Sequence, residues 1–246
     1  MEIKSYIKYV LCAICLLSTT AMSAQDFDEL WITGTAVPGG AQKMERTPDG
    51  QFRYAGPLGE GQARVQSTET AQAATLWLQP DDEDAQFVNK GMGYLSTTDK
   101  DAKGLAVTFA ANYYRLYVNP MEGTMRGELF RPWNELFLGG GATKNGWERL
   151  KMQPFTQSKA DACVWTWEGE LKRNDKVEEP DAFKFEGVEE WGQKELHPFS
   201  ANADILHTSL LRTGGKDTKW RIRRDGRYRI TVNILKETVK AEYLGE

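Results

Sequence analysis

The first residues with a chemical interpretation lie in the stretch GGGATKNGW, where Gly139–Gly141 lead to Lys144, a further glycine and Trp147. A glycine-rich loop can hold phosphate when glycine precedes the lysine, serine or threonine follows it, and a helix begins there. Here threonine precedes Lys144, asparagine follows it, and Pro154 comes too soon for a supporting helix. The stretch therefore predicts a strand end and a tight Asn145–Gly146 turn, with Trp147 just beyond it.

Tryptophans offer a second kind of chemistry, because an indole can stack on the apolar C–H face of a sugar ring. Six of the eight tryptophans lie between residues 131 and 246. Most of these stand on predicted strands or at a segment junction, where burial in a core explains them. Trp147 and Trp191 stand in turn or loop contexts instead. Each is either a lid folded back on the core or a stacking surface for a ligand, and the local sequence leaves both alternatives open.

Other reactive groups are sparse. His197 and His207 have no metal-ligand spacing, and no G-x-S-x-G motif is present. Cys163 is the only cysteine beyond residue 24, which predicts a small buried hydrophobe and no internal disulfide. A carboxylate pair for glycoside hydrolysis stays open, since the chain has many acidic residues. We predict a binding protein rather than an enzyme, with no catalytic residue, metal or cofactor.

The start of the chain has the order of a secretory signal. Lysines at positions 4 and 8 precede an apolar run over 9–17, and small residues follow up to Ala24. The run is too short to span a bilayer, and no further stretch in the mature chain is apolar enough to do so. We expect residues 1–24 to be a signal peptide cleaved without a lipid anchor, because no cysteine stands at the cut. The protein is then exported, and is outer membrane associated, periplasmic or secreted.

The net charge of the chain argues against one class of binding partner. The chain has 31 basic and 35 acidic residues and a net charge of −4, which argues against a general nucleic-acid binder.

Short strands must position these residues. Segments such as TLWLQ, CVWTWEG and YRITVNI are rich in β-branched and aromatic residues and are bounded by Gly, Pro, Asn and Asp. One long segment occurs twice: YYRLYVNPMEGTMRGELF, 113–130, matches RYRITVNILKETVKAEYL, 227–244, at a constant offset of 114 residues. The repeat predicts an all-β fold of two tandem immunoglobulin-like antiparallel β-sandwich domains, 26–130 and 131–246.

The ordered set LFLGGGATKNGW, CVWTWEGEL, FKFEGVEEW and GRYRITVNILKETV resembles the carbohydrate-binding domains of SusE/SusF-type outer-membrane proteins of bacterial polysaccharide-utilisation systems. The resemblance covers 131–246 and, more weakly, 29–130. It implies β-sandwich domains of the carbohydrate-binding-module kind and non-catalytic binding of starch or a similar α-glucan. Implied partners are a polysaccharide or oligosaccharide and outer-membrane glycan-uptake proteins. Members of that family are usually lipid-anchored, whereas this chain lacks the signal.

The same resemblance implies a glycan site in which Trp147 and Trp191 are stacking platforms and Lys184 donates hydrogen bonds to sugar hydroxyls. Without the resemblance, Lys184 is simply a strand lysine that faces solvent. In the first domain Ala41 takes the place of Trp147, Arg64 takes that of Lys184, and the stretch QSTETAQAA offers no second tryptophan. We therefore expect the first domain to have lost the site. The alternative function is a protein-interaction or structural accessory module of an outer-membrane complex.

Overall fold

The computed structural model of the protein describes residues 26–246, which form an almost wholly β structure with two single-turn 3-10 helices. This confirms the predicted all-β class with antiparallel sheets. Within the described part of the chain, no helix is long and apolar enough to cross a membrane. The predicted signal peptide, 1–24, lies outside the described residues.

Ten strands lie in the first half of the chain, and most are short and rich in β-branched or aromatic residues. They are β1 Trp31–Thr33, β2 Gln42–Lys43, β3 Glu45–Arg46, β4 Phe52–Leu58, β5 Gly61–Gln66, β6 Trp77–Pro80, β7 Met92–Thr97, β8 Leu105–Val107, β9 Ala111–Asn119 and β10 Thr124–Leu129.

These ten strands form one continuous sheet in the order β2-β1-β5-β6-β7-β10-β9-β4-β3, with β8 paired to β5. The arm that contains β1 and β5 and the arm that contains β4 and β9 contribute to the same hydrophobic core, in which Ile32 and Val65 meet Phe52, Tyr114 and Leu116. The layered arrangement of a sandwich is thus made here by one sheet whose two arms cover a common core.

Eleven strands follow in the second half. They are β11 Phe137–Gly139, β12 Gln153–Pro154, β13 Thr156–Gln157, β14 Val164–Leu171, β15 Ala182–Glu186, β16 Glu195–Pro198, β17 Ala203–Asp204, β18 Leu211–Thr213, β19 Trp220–Arg221, β20 Gly226–Asn233 and β21 Thr238–Gly245. The 3-10 helices are Arg149–Lys151 and Ile205–His207.

Two sheets form in this half. One has the order β12-β11-β15-β16-β18, with β19 paired to β15 and to β17, and the other has the order β13-β14-β20-β21. Phe183 and Phe185 of the first sheet share a core with Trp165, Trp167 and Ile230 of the second. The predicted burial of the β14 tryptophans is confirmed, and Cys163 beside them is fully buried. Phe130 packs into this core, one residue before the predicted boundary.

The repeated hairpin has the same register in both halves. Asn119 pairs with Thr124 and Arg115 with Glu128 in β9–β10, and the residues 114 positions later, Asn233–Thr238 and Arg229–Glu242, pair in β20–β21. Both copies hold a cross-strand ion pair, at 3.2 Å for Arg115–Glu128 and 3.4 Å for Arg229–Glu242. The sequence repeat is therefore a structural repeat of one β-hairpin.

The two copies differ in their surroundings, because Arg115 is buried against the second half whereas Arg229 is exposed. The Arg115 guanidinium donates a hydrogen bond of 2.8 Å to the carbonyl of Leu235, at the β20–β21 turn. All strand pairs among residues 26–246 lie within one half, so the halves are joined by side-chain contacts of this kind rather than by a shared sheet.

Candidate functional site

The glycine turn after β11 is held by close packing. A Cβ at Gly140, whose φ is +150°, would lie 2.4 Å from the Cα of Phe183, and a Cβ at Gly141 would lie 2.2 Å from the carbonyl oxygen of Glu179. Gly146 has a φ of +59°, as the Asn-Gly turn predicts. Only a three-residue 3-10 helix follows, so the helix that a phosphate loop needs is missing from this stretch. The glycines set the backbone path that ends at Trp147.

The structure brings the two loop tryptophans together. The ring centroids of Trp147 and Trp191 are 5.9 Å apart, and the ring planes make an angle of 55°. Both side chains are half-buried. The Trp147 indole N–H donates a 2.7 Å hydrogen bond to the carbonyl of Glu178, and this bond fixes one edge of the ring. Trp147 is not among the buried residues of the second core.

Trp191 lies over Gly139 of β11, where the lack of a side chain leaves room for the indole ring. Gly139 of β11 is the cross-strand partner of Lys184 in β15, and a Cβ on Gly139 would lie 2.8 Å from the Trp191 ring. The Lys184 ammonium lies 4.9 Å from the Trp191 ring centroid, within the range of a cation–π contact. All three predicted site residues therefore meet at one place on the surface of the second half.

Lys184 itself is 6% exposed, so the alternative of a solvent-facing strand lysine is wrong. Its ammonium contacts three carboxylates: Glu195, Glu186 at 3.2 Å and Asp217 at 3.5 Å. Burial opposes the charge, but the hydrogen bond to Glu195 and the fields of the carboxylates outweigh it and raise the pKa of Lys184. With its ammonium hydrogen-bonded to Glu195 and Asp217, Lys184 supports Trp191 from beneath rather than standing free to donate to a sugar.

No protein-family model matches the chain, and no curated protein sequence matches it. Its structure is similar to SusF from Bacteroides thetaiotaomicron, with a TM-score of 0.38 and 13% sequence identity over 89% of this chain and 49% of that one. The chain thus spans about half the length of that protein. A similarity this distant leaves the function to be argued from the site itself.

Two further residues belong to the site and carry no signal in the sequence. Lys219 and Asp217 lie in the KDTK loop between β18 and β19, which has the composition of an ordinary solvated loop. The Lys219 ammonium is 5.7 Å from the Trp147 ring centroid. Asp217 joins the two lysines, with one oxygen 3.5 Å from Lys184 and the other 3.0 Å from Lys219. Each indole therefore has an ammonium close to its ring, and the half-exposed carboxylate of Asp217 contacts both ammonium groups.

A buried layer of titratable groups supports Lys184. Glu186 has no exposed surface, and burial raises its pKa to about 8, although the charge on Lys184 opposes this shift. His197 is also buried, with Nδ1 2.9 Å from the carbonyl of Thr218 and Nε2 3.2 Å from Glu195. Hydrogen bonding to Lys184 and the nearby positive charges outweigh burial and lower the pKa of Glu195. The pKa values of Glu186 and Glu195 therefore depend on burial and on their contacts with neighbouring groups of the site.

Glu195, His197 and Asp217 have ligand atoms within 4.8 Å of one another, which is close enough for a metal ion. The sequence shows no metal-ligand spacing because Glu195 and His197 lie on β16, whereas Asp217 comes from the loop between β18 and β19. The Lys184 ammonium, however, already contacts Glu195 and Asp217. Since a cation and an ammonium would compete for the same oxygens, the donor set fits Lys184 better than a metal.

The loops that carry the two indoles are tied together. Arg149, in the 3-10 helix after Trp147, donates 3.0 Å and 3.1 Å hydrogen bonds to the Glu189 carbonyl and the Glu190 carboxylate, just before Trp191. On the other side of Trp191, the Gly192 N–H donates a 3.1 Å hydrogen bond to Glu195. The relative position of the rings is therefore held from both ends of the Trp191 loop.

The corresponding place in the first half is built differently. Thr33 of β1 pairs with Arg64 of β5, as Gly139 pairs with Lys184, so the predicted Arg64 replacement occupies the same register. The Arg64 guanidinium lies 3.8 Å from the ring of Trp77, which is buried. Ala41 stands near the glycine turn. A threonine replaces the glycine that makes room for Trp191, and the one tryptophan beside Arg64, Trp77, is buried against that guanidinium.

Proposed function

We propose that this protein binds a glycan without cleaving it, at the surface formed by Trp147 and Trp191. The observation that carries the proposal is the pair of half-buried indoles, 5.9 Å apart and fixed by the backbone of both loops. Half-buried rings that the loop backbone holds in place lose little conformational freedom when a ligand stacks on them. Their apolar faces suit the C–H faces of pyranose rings.

The angle between the rings supports a curved ligand. Two planes inclined at 55° form a shallow bend, whereas a straight, flat chain would lie along coplanar rings. An α-linked glucan such as starch curves along its length, and so we propose it as the first ligand to test. A groove of about 410 Å³ adjoins Trp147 and is lined by the polar side chains of Asn145, Glu148 and Glu179. These groups can bond the hydroxyls at the edges of a stacked sugar.

The carboxylates favour binding over hydrolysis. Glycoside hydrolysis needs one protonated carboxyl group in contact with the glycosidic oxygen. Glu195 and Asp217 both have lowered pKa values and both contact Lys184. Glu186 does have a raised pKa, but it is fully buried behind Lys184 and cannot reach a ligand. No carboxyl group of this cluster combines the accessibility and the protonation that an acid catalyst requires.

We propose that the halves 26–130 and 131–246 are separate β-sandwich domains, of which only the second binds the glycan. Two hydrophobic cores and the absence of shared strand pairs within residues 26–246 support this division. The burial of Trp77 against Arg64 and the presence of the Thr33 side chain support loss of the site in the first domain. The first domain then acts as a packing partner. In an exported chain, its outer surface is available to outer-membrane glycan-uptake proteins.

The test is affinity electrophoresis of residues 25–246 in gels that contain soluble starch. Replacing both Trp147 and Trp191 with alanine should abolish the retardation, and each single change should weaken binding at least about tenfold, or ~1.4 kcal/mol. Trp31→Ala is the matched control, because Trp31 is also half-buried and lies 5.7 Å from the Lys43 ammonium, but in the first half. Unchanged retardation of the double variant would refute the site. If the wild type binds no glycan and instead co-purifies with a protein partner, the accessory-module function is favoured.

A further inference from the structure

A second groove lies beside the indole surface, and the proposed function does not use it. Its volume is about 640 Å³, which is within the usual range for small-ligand sites. It runs between the glycine turn, at Thr143–Asn145, and the end of β14 with the residues that follow it, Glu170–Asn174. Asn145 lines both this groove and the one that adjoins Trp147. A chain stacked on the indoles can therefore continue past Asn145 into the second groove.

The groove is basic in an acidic protein. Lys144, Lys172 and Arg173 line it, against one carboxylate, Glu170, whereas the whole chain has 31 basic and 35 acidic residues. Arg173 is bonded to Asp175. Lys144 and Lys172 are exposed, and neither forms a salt bridge within residues 26–246. A local excess of positive charge concentrates anionic ligands.

The two walls of the groove are fixed relative to each other. The Lys172 backbone N–H donates a 2.8 Å hydrogen bond to the carbonyl of Ala142, and the Thr143 hydroxyl donates to the carbonyl of Gly146 at 3.3 Å. On the floor, the Gln153 oxygen accepts the indole N–H of Trp167 at 3.2 Å, which orients the amide nitrogen of Gln153 as a remaining donor. The lysines thus extend from a rigid frame that also offers a neutral donor.

We propose that this groove is a subsite for an anionic sugar of the same glycan chain, with Lys144 and Lys172 binding its carboxylate or sulfate group. The inference rests on the proposed function, since the chain is anchored by Trp147 and Trp191. Ammonium-to-anion hydrogen bonds are stronger than those between neutral groups, and at an exposed site they weaken as salt is added. The subsite therefore selects charged glycans over neutral ones.

The experiment compares three probes with one backbone: soluble starch, carboxymethylated starch and sulfated starch. At low salt the wild type should bind at least one charged derivative on the order of tenfold more tightly than neutral starch, and added salt should reduce this difference. Lys144→Gln with Lys172→Gln should remove the difference and leave binding of neutral starch unchanged. The control carries Lys90→Gln and Lys159→Gln, two exposed lysines elsewhere, and should keep the wild-type preference. The derivative that gains affinity identifies carboxylate or sulfate as the group bound.

The outcomes separate this inference from the proposed function. If neutral starch binds but charged derivatives bind no better, or if the Lys144/Lys172 variant keeps the preference, the subsite is overturned and the indole site stands. If the Trp147/Trp191 double variant still binds charged derivatives as tightly as the wild type, the indole site is overturned. Failure of all three probes to bind overturns both.

Discussion

Replacing Glu237 with glutamine should strongly destabilise the protein, because this carboxylate is the buried partner of cationic groups from the other half. Glu237 is 2% exposed and lies at the β20–β21 turn. It accepts hydrogen bonds from the Arg53 guanidinium and from the N–H and hydroxyl of Thr213, at 2.9 Å and 2.6 Å. Arg115 lies 3.8 Å away. The substitution keeps the shape of the side chain but leaves the charge of Arg53 buried without its partner.

The size of the effect follows from that burial. Removing one partner of a buried ion pair costs roughly 3–5 kcal/mol, because the remaining charge keeps its desolvation penalty. The Arg53 and Glu237 side chains are 2% and 3% exposed, so solvent screens the pair very little. For a chain of this size, each kcal/mol lowers the melting temperature by about 2–4 °C. We therefore expect Glu237→Gln to melt roughly 6–20 °C below the wild type.

The assay is thermal and urea unfolding, followed by circular dichroism and by calorimetry. The matched control is Glu242→Gln in the same hairpin, since Glu242 pairs with Arg229 and Lys240 but its side chain is 41% exposed. Exposed pairs contribute about 0–1 kcal/mol, so this variant should stay close to the wild type. If Glu237→Gln loses no more stability than Glu242→Gln, the ion pair between the halves does not stabilise the fold and the reasoning is wrong.

Three other outcomes can be checked. Burial holds the pKa of Glu186 at about 8, above the ordinary 4.5, so folding takes up a proton and the stability of the wild type falls as pH rises from 5 to 8. Glu186→Gln should therefore melt above the wild type at pH 8. If its gain in melting temperature over the wild type is the same at pH 5 as at pH 8, this expectation is wrong. Arg149→Gln should weaken glycan binding about two- to fivefold by releasing the Trp191 loop, with little change in melting temperature. Lys151→Gln, in the same 3-10 helix, is the control. Equal affinities of the two variants would show that the hydrogen bonds of Arg149 to the Trp191 loop do not contribute to binding. Burial raises the pKa of Cys163 to about 11, so iodoacetamide should not label the native mature chain at pH 8 but should label it in urea. Rapid labelling of the folded protein would show instead that the thiol is accessible.

The repeated hairpin shows what local sequence can predict. Strand residues, turn residues and cross-strand pairs lie within one 18-residue segment, and so similar segments form the same register in both halves. The surroundings of each copy were not predictable in this way. Arg115 and Arg229 occupy equivalent positions, yet the first is buried because it packs on the β20–β21 turn of the other half. Burial depends on contacts between distant segments, which the repeat does not encode.

The candidate site was predictable only in part. Trp147 and Trp191 could be identified by their loop contexts, because a large indole outside a strand needs a specific explanation. Their contact depends on Gly139, which leaves space above β11 for the Trp191 ring. Asp217 and Lys219 could not be identified, since their loop becomes part of the site only when β18 and β19 are in place.

Lys184 shows most clearly what the sequence determines and what the tertiary structure adds. The sequence FKFE by itself determined that Phe183 and Phe185 face the core while Lys184 and Glu186 face the opposite side of the sheet, because side chains alternate along a strand. Only the tertiary structure decided that this opposite side is covered by Trp191 and the loop that contains Asp217. Once water is excluded there, a charged ammonium is stable only among carboxylates, and the residue expected to face a sugar becomes the buried support of the indole above it.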